Sequence, residues 1–192
     1  MKLKGSFEQL EPGIYGAVCT RVIDLGTQPG YKPTDTPGRQ LLLGFEVEKF
    51  MTDGRPFYTM FTAFPGLGKK DKPTKLCSFL EGMRGKKFDD VERQGFDVKR
   101  VLGVPCEIVI GLSSGGKSKP TNASRPRIPV TLKPEKLVYF SLEPEDFNVE
   151  AFDDLSNWEK GKVQTSPEWT ALQNSQEHKP ADGKLPTDEV PF

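Results

Sequence analysis

The sequence predicts a mainly β protein: a five-stranded β-barrel with one or two short helices, followed by a C-terminal extension and a polar, acidic tail. Three observations carry this expectation. Two apolar runs flank Asp53-Gly54 between Arg39 and Phe64, and the first alternates with the period of a half-buried strand. Gly (19) and Pro (17) are abundant and 35% of the 192 residues are hydrophobic, a composition that suits a turn-rich β domain better than a helical bundle. The stripe Leu76, Phe79, Leu80, Met83 has the i, i+3, i+4, i+7 spacing of one amphipathic helix, and it falls after the third predicted strand.

The elements follow in chain order. Residues 14–25 (IYGAVCTRVIDL), entered through Pro12-Gly13, read as the first strand, and residues 26–38 as a loop around Tyr31 and Lys32. In the hairpin, Leu41, Leu43, Phe45 and Val47 share one face while Glu46 and Glu48 share the other. Asp53-Gly54 is expected to turn it, because both residues tolerate positive φ. The returning run, 56–64, is apolar on both sides: Phe57 and Phe61 on one, Tyr58, Met60 and Phe64 on the other. One side faces the core, and the other presents aromatic rings near solvent. Asp71 is expected to cap the helix and Gly85 to end it. A short helical turn is expected from Asp97 to Gly103. Residues 104–110 (VPCEIVI) read as the next strand, 113–125 as a polar loop, and 128–132 as a last short strand. Five strands with a helix between the third and fourth is the layout of an OB-fold.

Beyond Pro134, residues 137–142 are expected to run extended along the barrel. Val149, Phe152, Leu155 and Trp158 have the spacing of a short helix that packs back, and Ser166-Pro167-Glu168-Trp169 reads as a capped helical turn. The expected organisation is a barrel domain over 1–134, an extension packed on it over 135–172, a disordered linker over 173–187 and an acidic tip over 188–192.

Composition limits the function classes. No apolar run reaches the roughly 20 residues of a membrane span, and residues 1–10 lack the apolar core of a signal peptide. Cys19, Cys77 and Cys106 form no CxxC pair and read as buried free thiols in a reducing cytoplasm. The sole histidine, His178, lies in the polar tail, so a Cys/His zinc site or His-based catalysis is not expected in the folded part. The net charge of zero conceals a split: residues 1–133 carry +8 and residues 134–192 carry −8. A basic body with an acidic tail is a layout of nucleic-acid binders; a solvated surface with segregated charges is the bland alternative.

Residues 111–118 (GLSSGGKS) match the P-loop pattern GxxxxGK[ST] after a predicted strand. A working P-loop needs a helix next, yet Pro120, Pro126 and Pro129 follow, so a flexible hairpin loop is expected. Asp89 and Asp90 are clustered acids of the kind a nuclease uses, but they sit beside a turn with no companion histidine. Basic residues interleaved with aromatics are the stronger signal, since unpaired nucleic acid needs cations for phosphates and flat rings for bases. The candidate rings are Tyr31, Phe57, Tyr58 and Phe61. The candidate cations are Lys32, Arg39, Lys69, Lys70, Lys72, Arg84, Lys86, Lys87, Lys117, Lys119, Arg125 and Arg127. Except for the lysines at the helix end, these fall on the second and third strands and the strand-joining loops that form an OB ligand face. Core packing is the competing reading for each ring.

The end of the chain, Asp188-Glu189-Val190-Pro191-Phe192, combines an apolar anchor, acids and a stiffening proline, a set suited to docking in a partner's basic pocket. This tip resembles the acidic Pro-Phe tip of bacterial single-stranded DNA-binding proteins. The body is similar to bacteriophage-encoded OB-fold single-stranded DNA-binding-like proteins. The matching pieces are TDGRPF, RGKKFDD…GFDVKRVLGVPC, VYFSL and F…F…L…W…SPEW, which together span most of residues 5–170. The resemblance implies a non-enzymatic, sequence-tolerant binder of single-stranded DNA in phage replication or recombination. It further implies location in the bacterial host cytoplasm, no cofactor, and recruitment of replication or recombination proteins through residues 188–192. Neutralising about five phosphates would give a salt slope near −3.5, at about −0.7 each on single strands. Two other expectations stand beside it: an OB-type protein–protein adaptor that never touches DNA, and an NTPase or nuclease. The sequence leaves self-association open.

Overall fold

The computed structural model describes residues 8–30 and 34–177. Among them, β1 (Gly13–Gln28), β2 (Gly38–Phe50), β3 (Pro56–Ala63), β4 (Pro105–Leu112), β5 (Ser118–Ser124) and β6 (Val138–Phe140) form one sheet. The helices are α1 (Lys75–Arg84), α2 (Asp90–Gly95), α3 (Val149–Asp153), α4 (Asn157–Gln164) and α5 (Pro167–Glu177), with a 3₁₀ turn at Val98–Val101. The fold is therefore mixed α and β and not mainly β. The strand order is β3-β2-β1-β4-β5, antiparallel at each step, with β6 parallel to β1. The two ends of this path, β3 and β5, lie side by side, but no hydrogen-bonded ladder joins them. The sheet is thus not closed into the predicted barrel.

The hairpin forms as the alternation predicts. Leu41, Leu43, Phe45 and Val47 are buried on one face. Its turn differs in detail: Gly54 N donates to Met51 O at 2.9 Å, so the reversal spans Met51–Gly54, and Gly54 alone is left-handed, at φ 84°. Asp53 instead steadies the turn by accepting from Arg55 N at 3.0 Å.

In β1 a single alternation does not hold. Register shifts between Cys19 and Arg21 and between Asp24 and Gly26 each move the side chains after them to the other face. Ala17, Cys19 and Val22 consequently join the core on one side, while Ile23 and Leu25 turn to the opposite side.

The main core lies between the inner sheet face and α1. Leu76, Phe79, Leu80 and Met83 are all buried there, as the helical spacing predicts. The cap is Thr74 and not Asp71: Thr74 Oγ1 accepts from Cys77 N at 3.1 Å, and Gly85 closes α1 in the left-handed region. Asp89 also proves to be a cap. It shares a capping box with Glu92 at the start of α2, which gives that acid a structural task. Asp97 caps the 3₁₀ turn, as expected. All three cysteines are buried and free.

Two strand expectations fail together. The fifth strand is Ser118–Ser124, inside the predicted polar loop, while residues 128–132 are irregular. An edge strand tolerates the proline and polar side chains of KPTN, because β4 supplies its ladder and Pro120 needs no donor on the open side. Residues 128–132 are held through Thr131, whose N donates to Glu48 Oε1 at 2.8 Å.

The extension packs on the outer sheet face. Ile23, Leu25 and Leu42 form a second cluster with Val138, Phe140, Leu142, Leu155, Val163 and Leu172. Phe152 stacks on Trp169 with centroids 4.4 Å apart. Two carboxylates fix the helices to β1. Glu159 accepts from Arg21 Nη1 at 2.8 Å, and Glu168 accepts from Thr27 N at 2.8 Å and Thr27 Oγ1 at 2.6 Å. Burial alone would raise the Glu168 pKa, but the two Thr27 hydrogen bonds outweigh it and hold the carboxyl below its usual range. The expected Val149–Trp158 stripe splits: Phe152 and Leu155 pack, while Val149 and Trp158 stay exposed. Residues 173–177, expected in the linker, form the end of α5; the remainder, 178–187, lies outside the described residues. No helix among the described residues is long and apolar enough to cross a membrane.

Candidate nucleic-acid interface

Strand β3 decides which rings face solvent. Its 56–63 run alternates, and the core takes the side bearing Phe57, Thr59 and Phe61. Phe61 stacks on Phe79 of α1 with centroids 4.1 Å apart, and Phe57 packs against the same core. Both are half-buried against the core, so of the two readings open for these candidate rings packing is the one observed, and they do not stand outward as a DNA-stacking role requires. The outward row is Tyr58, Met60 and Phe64, exposed by 40%, 38% and 58%. Of the predicted rings among the described residues, Tyr58 alone is placed outward. Tyr31, with Lys32, lies outside the described residues.

Glycine shapes this row. Gly44 lies opposite Met60 in the β2–β3 ladder, and the Tyr58 hydroxyl occupies the space that a side chain at Gly44 would fill. The phenol is thus pinned over the β2 backbone, and burial of this end pushes its pKa up. Glu46 is the direct cross-strand partner of Tyr58. Its pKa is also raised, by burial and by the negative charge of Glu135, with Arg21 opposing.

Cations border the row across the open edge. Between β3 and β5 lies a cavity of about 550 Å³ lined by Met60, Phe61, Thr62, Lys75, Lys119 and Asn122, among others. At one end, Lys117 shares a smaller cavity with Phe57, Tyr58 and Thr59. At the other end, Lys75 shares one with Thr62, Ala63 and Phe64. Lys75, Lys117 and Lys119 are exposed, and none forms an ion pair with a described residue. Lys69, Lys70 and Lys72 are exposed on the loop leading into α1.

Other predicted cations are engaged in the fold. Arg39 pairs through Nη2 with Asp24 and through Nη1 with Glu143, and its Nε donates to Asp24 Oδ1 at 3.1 Å. Arg84 pairs with Glu92 and lies 4.2 Å from the Phe88 ring centroid. Arg127 Nε meets Glu107 at 3.3 Å. Arg125 is exposed beside Gly85, and Lys86 and Lys87 follow the end of α1; none of these three lines the cavities along β3. The structure therefore brings Tyr58, Lys117 and Lys119 together, with Phe57 and Phe61 beneath, and leaves Arg39, Arg84 and Arg127 neutralised.

The reading from sequence missed Met60, Phe64 and Lys75 as site residues. Parity along β3 placed Met60 and Phe64 with Tyr58, but it could not say which side was buried. Lys75 closes the basic run that begins with Lys69, Lys70 and Lys72, which is the signal that could have found it. Trp158 and Lys136 were missed as well; they join Tyr58 in a further cavity, because α4 is carried to β1 by the Arg21–Glu159 pair. No local signal announces that approach.

The P-loop match is a hairpin. Ser113 N donates to Lys117 O at 2.8 Å, Lys117 N donates to Ser113 Oγ at 3.0 Å, and a strand follows where a phosphate-binding helix is needed. Among the described residues, no group of three or more His, Cys, Asp or Glu side chains is arranged to hold a metal ion. The acidic tip, 188–192, lies outside the described residues. Comparison with protein-family models gives no match for this chain, and comparison with curated proteins gives none.

Proposed function

We propose that this protein binds single-stranded DNA without sequence reading, as a non-enzymatic component of phage replication or recombination, and recruits partners through residues 188–192. The observation that carries this reading is the exposed row Tyr58, Met60, Phe64 beside Lys75, Lys117 and Lys119, which form no ion pair with a described residue. Stacked bases need outward flat or polarisable side chains, and the strand's phosphates need unneutralised cations within reach. The path β3-β2-β1-β4-β5, with α1 between β3 and β4, supports an OB-type architecture left unzipped between β3 and β5. In this arrangement DNA would run along β3, since α3–α5 cover the outer face of β1 and β2.

Fluorescence anisotropy with a labelled oligothymidine and with a duplex of equal length tests the proposal. Tight binding to the single strand and weak binding to the duplex are expected. Tyr58→Ala should weaken single-strand binding about tenfold, within the range of about 1–3 kcal/mol for one stacked base. Absence of binding would leave the protein–protein adaptor, for which the same exposed row would be the docking surface.

A further inference from the structure

Beside the row on β3 lies a cavity of about 340 Å³ with a different chemistry. Tyr58 and Met60 form one wall, and Trp158, at the start of α4, lines the same space. Trp158 is 47% exposed, high for an indole on a helix that packs against the sheet, and the Lys162 ammonium lies 6.0 Å from its ring centroid. The cavity holds two cations, Arg21 and Lys136, but neither is available. Arg21 donates to Glu159 at 2.8 Å and to Asp154 O at 3.3 Å, and Lys136 pairs with Asp154. Glu46 is the reverse case. It lies directly opposite Tyr58, lines the cavity, and accepts no hydrogen bond from any described residue.

The polar function left open is therefore a pair of carboxylate oxygens between aromatic and thioether surfaces. A phosphate would be repelled by Glu46. A flat ring with adjacent N–H donors on one edge fits both features.

We infer that this cavity holds one nucleobase of the bound strand, with its faces against Tyr58 and Trp158 and its Watson–Crick edge toward Glu46, and that it selects guanine. Guanine offers N1–H and N2–H₂ side by side, which two carboxylate oxygens can accept together. Thymine sets a carbonyl on each side of its single N–H, and both would face the carboxylate. This inference rests on the single-stranded DNA reading and adds one base-selective subsite to a path that is otherwise sequence-tolerant.

The test compares an all-thymine oligonucleotide with one carrying a single central guanine, by anisotropy on the full chain. The guanine strand should bind roughly tenfold tighter, as one good bidentate base contact provides. Glu46→Gln, which keeps the shape, should abolish the guanine advantage and tighten oligothymidine binding, because the carboxylate that repels thymine's carbonyls is gone and the amide can donate to one of them. Trp158→Ala, at an exposed position, should reduce the advantage as well. Equal affinity for the two strands would overturn the subsite and leave the broader reading standing; binding of neither would overturn both. Tryptophan fluorescence that responds to argininamide and not to deoxyguanosine monophosphate would assign the cavity to a peptide partner and likewise overturn the inference.

Discussion

The division between engaged and available cations gives a sharp expectation for salt dependence. Each phosphate neutralised on a single strand contributes about −0.7 to the slope of log K against log salt. Lys75, Lys117 and Lys119 border the open edge between β3 and β5 without ion-pair partners among the described residues. Replacing all three with alanine should therefore flatten the slope by about 2, from near −3.5 to near −1.4, if about five phosphates are neutralised in all. Arg39→Ala and Arg127→Ala should leave the slope unchanged, because those guanidiniums already face Asp24, Glu143 and Glu107. The measurement is anisotropy titration of a labelled oligothymidine between about 50 and 200 mM salt, the range over which counterion release changes affinity most visibly. A triple variant that keeps the full slope would refute the reasoning, as would an Arg39 or Arg127 variant that flattens it.

Three further outcomes follow from the packing. Glu159→Ala removes a carboxylate only 3% exposed but leaves behind an Arg21 that is 23% exposed and still donates to Asp154 O, so it should cost about 2 kcal/mol, below the 3–5 of a fully buried pair, and lower the melting temperature by roughly 4–8 °C in calorimetry. A loss below about 0.5 kcal/mol would show that α4 is held by apolar contact alone. Because the Glu168 carboxyl is held below its ordinary value of 4.5, its contribution is complete above that value and disappears as pH falls through the lower folded value. Urea midpoints measured from neutral pH to pH 3 should thus fall less steeply for Glu168→Gln than for the parent protein. Phe61→Ala removes a half-buried ring stacked on Phe79 and should cost roughly 2 kcal/mol in urea unfolding, below the 3–5 of a fully buried ring. Tyr58→Ala should cost less stability than Phe61→Ala but more DNA affinity.

Local chemistry was legible where it is decided by neighbours in the chain. The α1 stripe, the Leu41–Val47 alternation, the Gly85 stop and the Asp97 and Ser166 caps all depend on residues within a few positions of one another. Strand β5 was not legible, because KPTN has no apolar period of its own and becomes a strand only when β4 provides a ladder. Asp71 and Thr74 are both competent caps, and the choice fell to Thr74 because Leu67 and Gly66 bring the loop back onto it: Thr74 N donates to Leu67 O at 3.3 Å and Thr74 Oγ1 to Gly66 O at 2.7 Å.

The sequence by itself determined the hairpin, the amphipathic helix, the segregation of charge and the two-sided apolar character of β3, since these are properties of spacing and composition. Only the tertiary structure decided that α1 claims the Phe57–Phe61 side and leaves Tyr58, Met60 and Phe64 outward. It likewise decided that Arg39 is neutralised by Asp24 and Glu143 while Lys117 and Lys119 pair with no described residue, and that Trp158 and Tyr58 line one cavity. The physical reason is range: periodicity and capping act over a turn or a strand pair, whereas the partner of a charge and the covered side of a ring are set by groups far away in the chain, 138 residues between Arg21 and Glu159 and 141 between Thr27 and Glu168.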